Sequence, residues 1–294
     1  MNGKKITFLA TLLALLLFGL GKLFFTEVKA EYAVPEREEL VVKVLDVGQG
    51  DAILILCGKD TILVDSSDSK MKSRLVKLLR RENVKNIDLL VATHPHEDHI
   101  GGMQAIIKDF DVKKILDSGQ VHTTKVFKDY LKLVEKMKIP FDKAKKGDVY
   151  TFDNNVSLEM LWPEEKFVQN TASDLNNNSI VLKVRKDDFS MLLTGDIEKE
   201  AEKLLVKEYG DKLGSTVLKS PHHGSYKSST NSFLNAVGAD AVIISCGKDN
   251  DYGFPHKEVI KRYEKNDMQI YVTATDGSVA VTTDGKKYQI KKDR

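Results

Sequence analysis

The chain is poor in cysteine, tryptophan and proline, with two, one and six of them in 294 residues. Two cysteines, Cys57 and Cys246, are too few and too far apart for a disulfide scaffold or a cysteine-based zinc site. Each ends a strand-like apolar run, which predicts separate buried thiols; a disulfide is the alternative that an exported chain permits. Net charge is scarce too. Lys and Arg number 45 against 43 Asp and Glu, and setting aside residues 1–30, with four Lys and one Glu, leaves 41 basic and 42 acidic side chains. Non-specific polyanion binding through net charge therefore has no support, and any nucleic-acid contact needs a local patch. At 30% charged and 41% hydrophobic residues, the composition is that of an ordinary globular chain with a sizeable core.

Long apolar runs are absent except near the start. Lys4 and Lys5 precede the run Ile6 to Leu20, and Val28-Lys29-Ala30 supplies small residues where a signal peptidase reads. This layout predicts an export signal over 1–30, cleaved after Ala30, then a polar linker over 31–39 and one domain over 40–294. A secreted, extracellular protein follows. The alternative is a membrane tether through residues 6–25, with the domain facing outside, because that stretch can span a bilayer if Lys22 snorkels.

Histidine, by contrast, is concentrated. Of seven in the chain, three fall in Thr93-His94-Pro95-His96-Glu97-Asp98-His99-Ile100-Gly101-Gly102, directly after the apolar run Ile87 to Ala92. That run reads as a buried strand, so the cluster sits on a strand-to-helix loop. His94 and His96 alternate on one side of an extended segment and suit one metal; Asp98 and His99, entering a helix expected to run to Phe110, suit a second. Gly101 and Gly102 are expected to turn tightly where a Cβ would crowd the ligands. A surface histidine cluster is the competing reading, disfavoured by the strand that precedes it.

Further ligands must come from elsewhere. Asp196 follows the strand-like Met191 to Thr194, and its two oxygens can bridge two cations, although the same residue type also caps helices. His222 and His223 follow the strand Val217 to Lys219, and adjacent histidines point apart, so one can bind metal while the other faces substrate. Asp65, just past Ile62 to Val64, is expected to orient a ligand from behind. Strand-like runs come in two groups, each followed by helices: one from Leu40 to Leu116, the other from Val156 to Thr273. The pattern predicts an α/β chain with two sheets packed face to face and helices outside.

Taken together, Leu45-Asp46-Val47-Gly48-Gln49-Gly50-Asp51-Ala52, Leu63-Val64-Asp65, the HPHEDHIGG loop, Asn177 to Leu182, Leu193-Thr194-Gly195-Asp196-Ile197-Glu198 and Lys219 to Ser225 carry a family resemblance. Over residues 40–283 the chain resembles the metallo-β-lactamase superfamily, and within it the secreted relatives of the hydrolase domain of the DNA-uptake channel ComEC. The resemblance implies an αββα sandwich with mixed sheets and two divalent metal ions, zinc or manganese. His94, His96 and Asp196 would hold the first metal; Asp98, His99, Asp196 and one of His222 or His223 the second. Matching the preceding strand favours His222 as ligand and leaves His223 for substrate or proton transfer. The chain departs from the family at two points. A third His on the first metal is missing, His122 falling too early, so Asn178 or water is expected there, and Gly253-Phe254-Pro255-His256 stands where relatives read Gly-His-Pro-His.

A hydroxide held between two such metals is a nucleophile at neutral pH. The expected activity is phosphodiester hydrolysis, with DNA among the substrates implied. Asp98, His223 and His256 are the candidate catalytic groups, and Lys219, Ser225 and Lys257 are candidate phosphate contacts. An amide, lactone or β-lactam hydrolase is the alternative enzyme, and a non-catalytic binding module with a degenerate site the alternative of another class. No stable protein partner is inferred.

Overall fold

The computed structural model describes residues 38–294; the expected leader, its membrane-tether alternative and most of the linker lie outside the described residues. Among the described residues no helix is long and apolar enough to cross a membrane.

Two mixed sheets form the centre. Among the described residues, the first has eight strands in the spatial order Tyr288–Lys292, Val279–Thr283, Leu40–Val44, Ile53–Cys57, Asp60–Val64, Leu89–Ala92, Ile115–Asp117 and Phe141–Lys143. The second has seven: Gln269–Val272, Ala241–Ile244, Val217–Lys219, Phe189–Leu193, Val181–Lys186, Ser157–Trp162 and Val149–Thr151. Side chains on a strand alternate between faces, and the cores follow that period of two. Ile53, Ile55 and Cys57 point inward, with Val42, Val64 and Val91, against Met160, Leu182, Met191 and Ile243 of the other sheet. Leu54 and Leu56 point outward and pack with Leu75, Leu79, Ile106 and Tyr130 of the covering helices. On the second sheet Leu192, Leu218 and Val242 do the same with Ala201, Leu205, Phe233 and Tyr263. The result is helix, sheet, sheet, helix, as the sequence pattern predicts.

The helices have local causes. Lys72–Arg81 buries Leu75, Val76 and Leu79 at helical spacing. Lys125–Met137 starts at Thr124, whose hydroxyl accepts from Phe127 N, a cap that contributes about 1 kcal/mol, and stops where Lys138 turns left-handed.

Some expectations fail in detail. The apolar run 87–92 is two strands: Asn86–Ile87 pairs with Asp111–Val112 in a small separate sheet, and only Leu89–Ala92 enters the large one. The single helix expected after the ligand loop is Glu97–Ile100 and Met103–Asp109, with Gly101 and Gly102 between. Those glycines are needed for a close approach, but not to the ligands. A Cβ on Gly101 would lie 2.2 Å from Ser69 N, and one on Gly102 2.2 Å from Ser66 O, so both make room for the 66–69 backbone. Cys57 and Cys246 are free and buried in different core clusters.

Candidate metal centre

Every element of the centre leaves the C-terminal end of a parallel strand. Asp60–Val64 lies beside Leu89–Ala92 with Val64 opposite Val91, so Asp65 and Thr93 emerge together. Thr93 donates to Asp65 twice, from its N–H at 2.8 Å and its hydroxyl at 2.7 Å. In the second sheet Met191 pairs with Val217 and Lys219 with Ile243, all parallel, which brings Asp196, the His222-His223 pair and the loop after Ile244 to the same edge. Ile180 N–H donates to Thr93 O at 2.9 Å and ties the two edges together. His222 and His223 both adopt left-handed backbone, with φ of 47° and 54°. Two consecutive non-glycine residues there cost on the order of 1 kcal/mol each, a strain typical of functional sites, and the turn aims their rings apart.

Side-chain atoms of Asp98, His99, Asp196 and His223 lie within 4.8 Å of one another. His99 Nε2 and His223 Nε2 are 3.3 Å apart. Each is also close to Asp196 Oδ2, at 3.3 Å and 3.4 Å, and His223 Nε2 is 3.3 Å from Asp98 Oδ2. The opposite ring nitrogens are already engaged: His99 Nδ1 donates to Asp65 Oδ2 at 2.7 Å, and His223 Nδ1 to Ser245 O at 2.9 Å. The two Nε2 atoms so oriented face each other, and two carboxylates converge on the same point. Positive charge at that point satisfies all four groups, either as protons on the two rings or as a metal ion that replaces them, and a histidine whose second nitrogen is held by a carboxylate or carbonyl is the usual form of a metal ligand. Beside this cluster His94 Nε2 lies 3.0 Å from His96 Nδ1 and 3.9 Å from Asp196 Oδ2. Asp196 Oδ1 is buried without a hydrogen-bond partner among the described residues. The donor set therefore fits metal ions.

The electrostatics agree with the geometry. Burial alone would lower the pKa of His99 and His223, but Asp196 and its neighbours outweigh it, holding His99 well above the ordinary range and His223 at about 10. Burial would raise Asp98 and Asp196; the surrounding histidines outweigh it and keep both carboxylates ionised. The cluster favours positive charge at its centre. His94 goes the other way, lowered by burial and by His99, and stays a neutral nitrogen donor.

Of the expected residues, the structure brings His94, His96, Asp98, His99 and Asp196 together. His223, rather than the favoured His222, contributes its Nε2 to the cluster with Asp98 and His99. His222 Nδ1 lies 3.3 Å from Glu198 Oε1 instead, with Nε2 3.8 Å from Asp196 Oδ2. Counting strand residues could not separate them, because the backbone between strand and pair is not extended. His256 is not in the cluster: its Nδ1 accepts from Tyr226 N–H at 3.2 Å, and its ring lies against Phe254. Lys219 is no phosphate contact, being fully buried with its ammonium 2.8 Å from Asp51 Oδ2. Ser225 is buried, and Lys257, though exposed, does not line the cleft. Asn178 spends its amide on Val168 and Asp174, and Asn176 lines the cleft in its place. His122, dismissed from sequence as too early, does line the cleft, its ring 6.1 Å from that of His96. The cleft measures about 690 Å³ and also includes Gln49, Tyr252 and Phe254, which sequence reasoning assigned no role.

Face-to-face mixed sheets with a His/Asp cluster at their common edge define a metal-binding αββα hydrolase scaffold. The chain belongs to the metallo-β-lactamase superfamily, whose model matches residues 45–248. Among curated proteins it is 32% identical to "Competence protein ComA" of Neisseria gonorrhoeae, over 84% of this chain and 33% of that one. It is 28% identical to "ComE operon protein 3" of Bacillus subtilis, over 81% of this chain and 32% of that one. The chain thus spans about a third of the length of these relatives. Among solved structures, the metallo-β-lactamase fold protein YhfI from Bacillus subtilis matches with a TM-score of 0.51 at 12% identity, covering 79% of this chain and 96% of that one. This likeness concerns the fold.

Proposed function

We infer that this chain is a metal-dependent phosphodiesterase with nucleic acid as its favoured substrate class. The observation that carries the reading is the convergence of His99, His223, Asp98 and Asp196 on one point in an open cleft. His94, His96 and Asp196 would hold one divalent ion, zinc or manganese, with His222 Nε2 3.8 Å from Asp196 Oδ2. Asp98, His99, Asp196 and His223 would hold a second. Metals so bound lower the pKa of water towards neutrality and neutralise charge on phosphoryl oxygens.

The chain's own residues supply orientation and charge. Asp65 fixes the His99 ring and Ser245 O fixes that of His223, so both present Nε2 to the centre. Asp98 is the ligand carboxylate nearest solvent, its side chain partly exposed at the cleft, and is the group best placed to accept a proton there. Similarity to "Competence protein ComA" supports nucleic acid as substrate, and the expected N-terminal leader supports action outside the cytoplasm.

The test is turnover by the purified, metal-loaded chain. Hydrolysis of DNA, RNA, a cyclic dinucleotide or bis-p-nitrophenyl phosphate is expected. Opening of a lactone or of nitrocefin, with all phosphodiesters untouched, overturns the reading in favour of carbonyl hydrolysis.

A further inference from the structure

The loop 247–256 carries two rings at the cleft: Phe254, which packs against the core of the second sheet, and Tyr252, which neither the core nor the metal cluster explains. Tyr252 stacks on Phe254 with centroids 5.3 Å apart and planes within 14°. Phe254 in turn lies 5.6 Å from the His222 ring and 6.0 Å from that of His223. Tyr252 is 62% exposed, yet it lines the same cleft as Asp98, Asp196 and both histidines. Its outer face is open.

The loop beneath the rings is braced. Asn250 Nδ2 donates to Gly247 O and to Phe254 O, both at 2.8 Å, while its Oδ1 accepts from Tyr252 N–H at 3.2 Å and Phe254 N–H at 2.9 Å. One side chain thus ties down the backbone that carries both aromatics, and the ordering cost is met before any ligand arrives. Gln49 accepts from Gly247 N–H through Oε1 at 3.3 Å, and its buried Nε2 has no partner among the described residues. A buried amide donor left unpaired is costly unless a ligand acceptor completes it.

Charge at the mouth narrows the occupant. Besides the histidines, Asp68, Glu97, Asp249 and Asp251 line the cleft, with Lys70 the single Lys or Arg among the lining residues. A run of phosphates gains nothing from such a mouth, so a ligand held there must draw affinity from a flat, uncharged group. A nucleobase has that shape, and in a duplex its faces are covered by neighbouring bases.

Resting on the phosphodiesterase reading, we propose that Tyr252, backed by Phe254, is a stacking shelf for the unpaired base of the nucleotide whose phosphate sits at the metal cluster, with Gln49 Nε2 donating to that nucleotide. The shelf makes the site selective for nucleotide esters over simple phosphodiesters, and for single strands or strand ends over duplex.

The experiment compares two esters with one leaving group, thymidine 5′-(p-nitrophenyl phosphate) and methyl p-nitrophenyl phosphate, on the metal-loaded full chain. Wild type should prefer the thymidine ester in kcat/KM by about tenfold, the usual worth of one base stack. Tyr252→Ala should erase that preference, chiefly through KM, and Tyr252→Phe should keep it. An unchanged preference in Tyr252→Ala overturns the shelf. Calorimetric binding of a phosphorothioate-linked dithymidine and its abasic counterpart decides the same point without turnover. Base-dependent binding that is lost in Tyr252→Ala supports the shelf, and equal binding of the two ligands overturns it. If neither ester is cleaved, the phosphodiesterase reading falls while the binding comparison still decides the shelf.

Discussion

His99 Nε2 and His223 Nε2 meet at 3.3 Å although 124 residues separate them in the chain. One leaves the first sheet and the other the second, so the contact joins the halves of the molecule, and both rings would hold a metal bound there. Replacing His223 by Ala is expected to lower bound metal from two ions to one per chain, measured by elemental analysis after dialysis. Two ions retained at unchanged affinity would exclude His223 as a ligand.

Asp65 stands on the far side of the His99 ring from Nε2, where it accepts from His99 Nδ1 and twice from Thr93. Asp65→Ala frees the His99 ring and should weaken metal affinity by about 10- to 100-fold. Competition with a chromophoric chelator reads this directly, and wild-type affinity would show that the ring is held by other means.

Much of this centre was legible in the sequence because its ligands sit at fixed offsets on a loop whose preceding strand is plainly apolar. His94, His96, Asp98 and His99 needed only that pattern; Asp196 follows a different strand and reads equally well as a helix cap, so it needed the family resemblance as well. The choice between His222 and His223 was not legible, since it depends on left-handed backbone at both residues. Asp51, Gln49 and Tyr252 were hidden for another reason: their roles arise from loops that meet only when the sheets pack. The strands Val279–Thr283 and Tyr288–Lys292 escaped as well. The second is largely polar and exposed, as edge strands tend to be, yet with its neighbour it extends the first sheet beyond Leu40–Val44.

Lys219 and Asp51 form a fully buried ion pair behind His223, with Asp51 Oδ1 3.5 Å from His223 Nδ1. Lys219→Met leaves a buried carboxylate without its partner and should destabilise the fold by about 3–5 kcal/mol. Adding Asp51→Asn should recover part of that loss. Chemical denaturation measures both, and a Lys219→Met variant as stable as wild type would contradict the pair's structural role.

Burial pushes the Asp117 carboxyl up to about 6, so the folded state holds that proton more tightly than the unfolded chain does. The stabilisation from this group is complete below about pH 4 and is lost as pH rises through 6. Asp117→Asn keeps the acceptor for Gly119 N–H, which lies 2.7 Å from Oδ1, and cannot ionise. Its stability relative to wild type should rise by about 2–3 kcal/mol between pH 4 and pH 7. A pH-independent difference between the two would place the Asp117 pKa near its ordinary value.

The most direct measurement joins metal content to turnover in wild type and Asp196→Asn. Asp196 Oδ2 lies within 4 Å of ring nitrogens from His94, His99, His222 and His223, so it is positioned to serve both of the proposed metals. The expected result is two divalent ions per wild-type chain with hydrolysis of bis-p-nitrophenyl phosphate, and loss of both ions or of all turnover in the variant. An Asp196→Asn protein with wild-type metal content and wild-type phosphodiester hydrolysis would contradict a metal centre built on this residue.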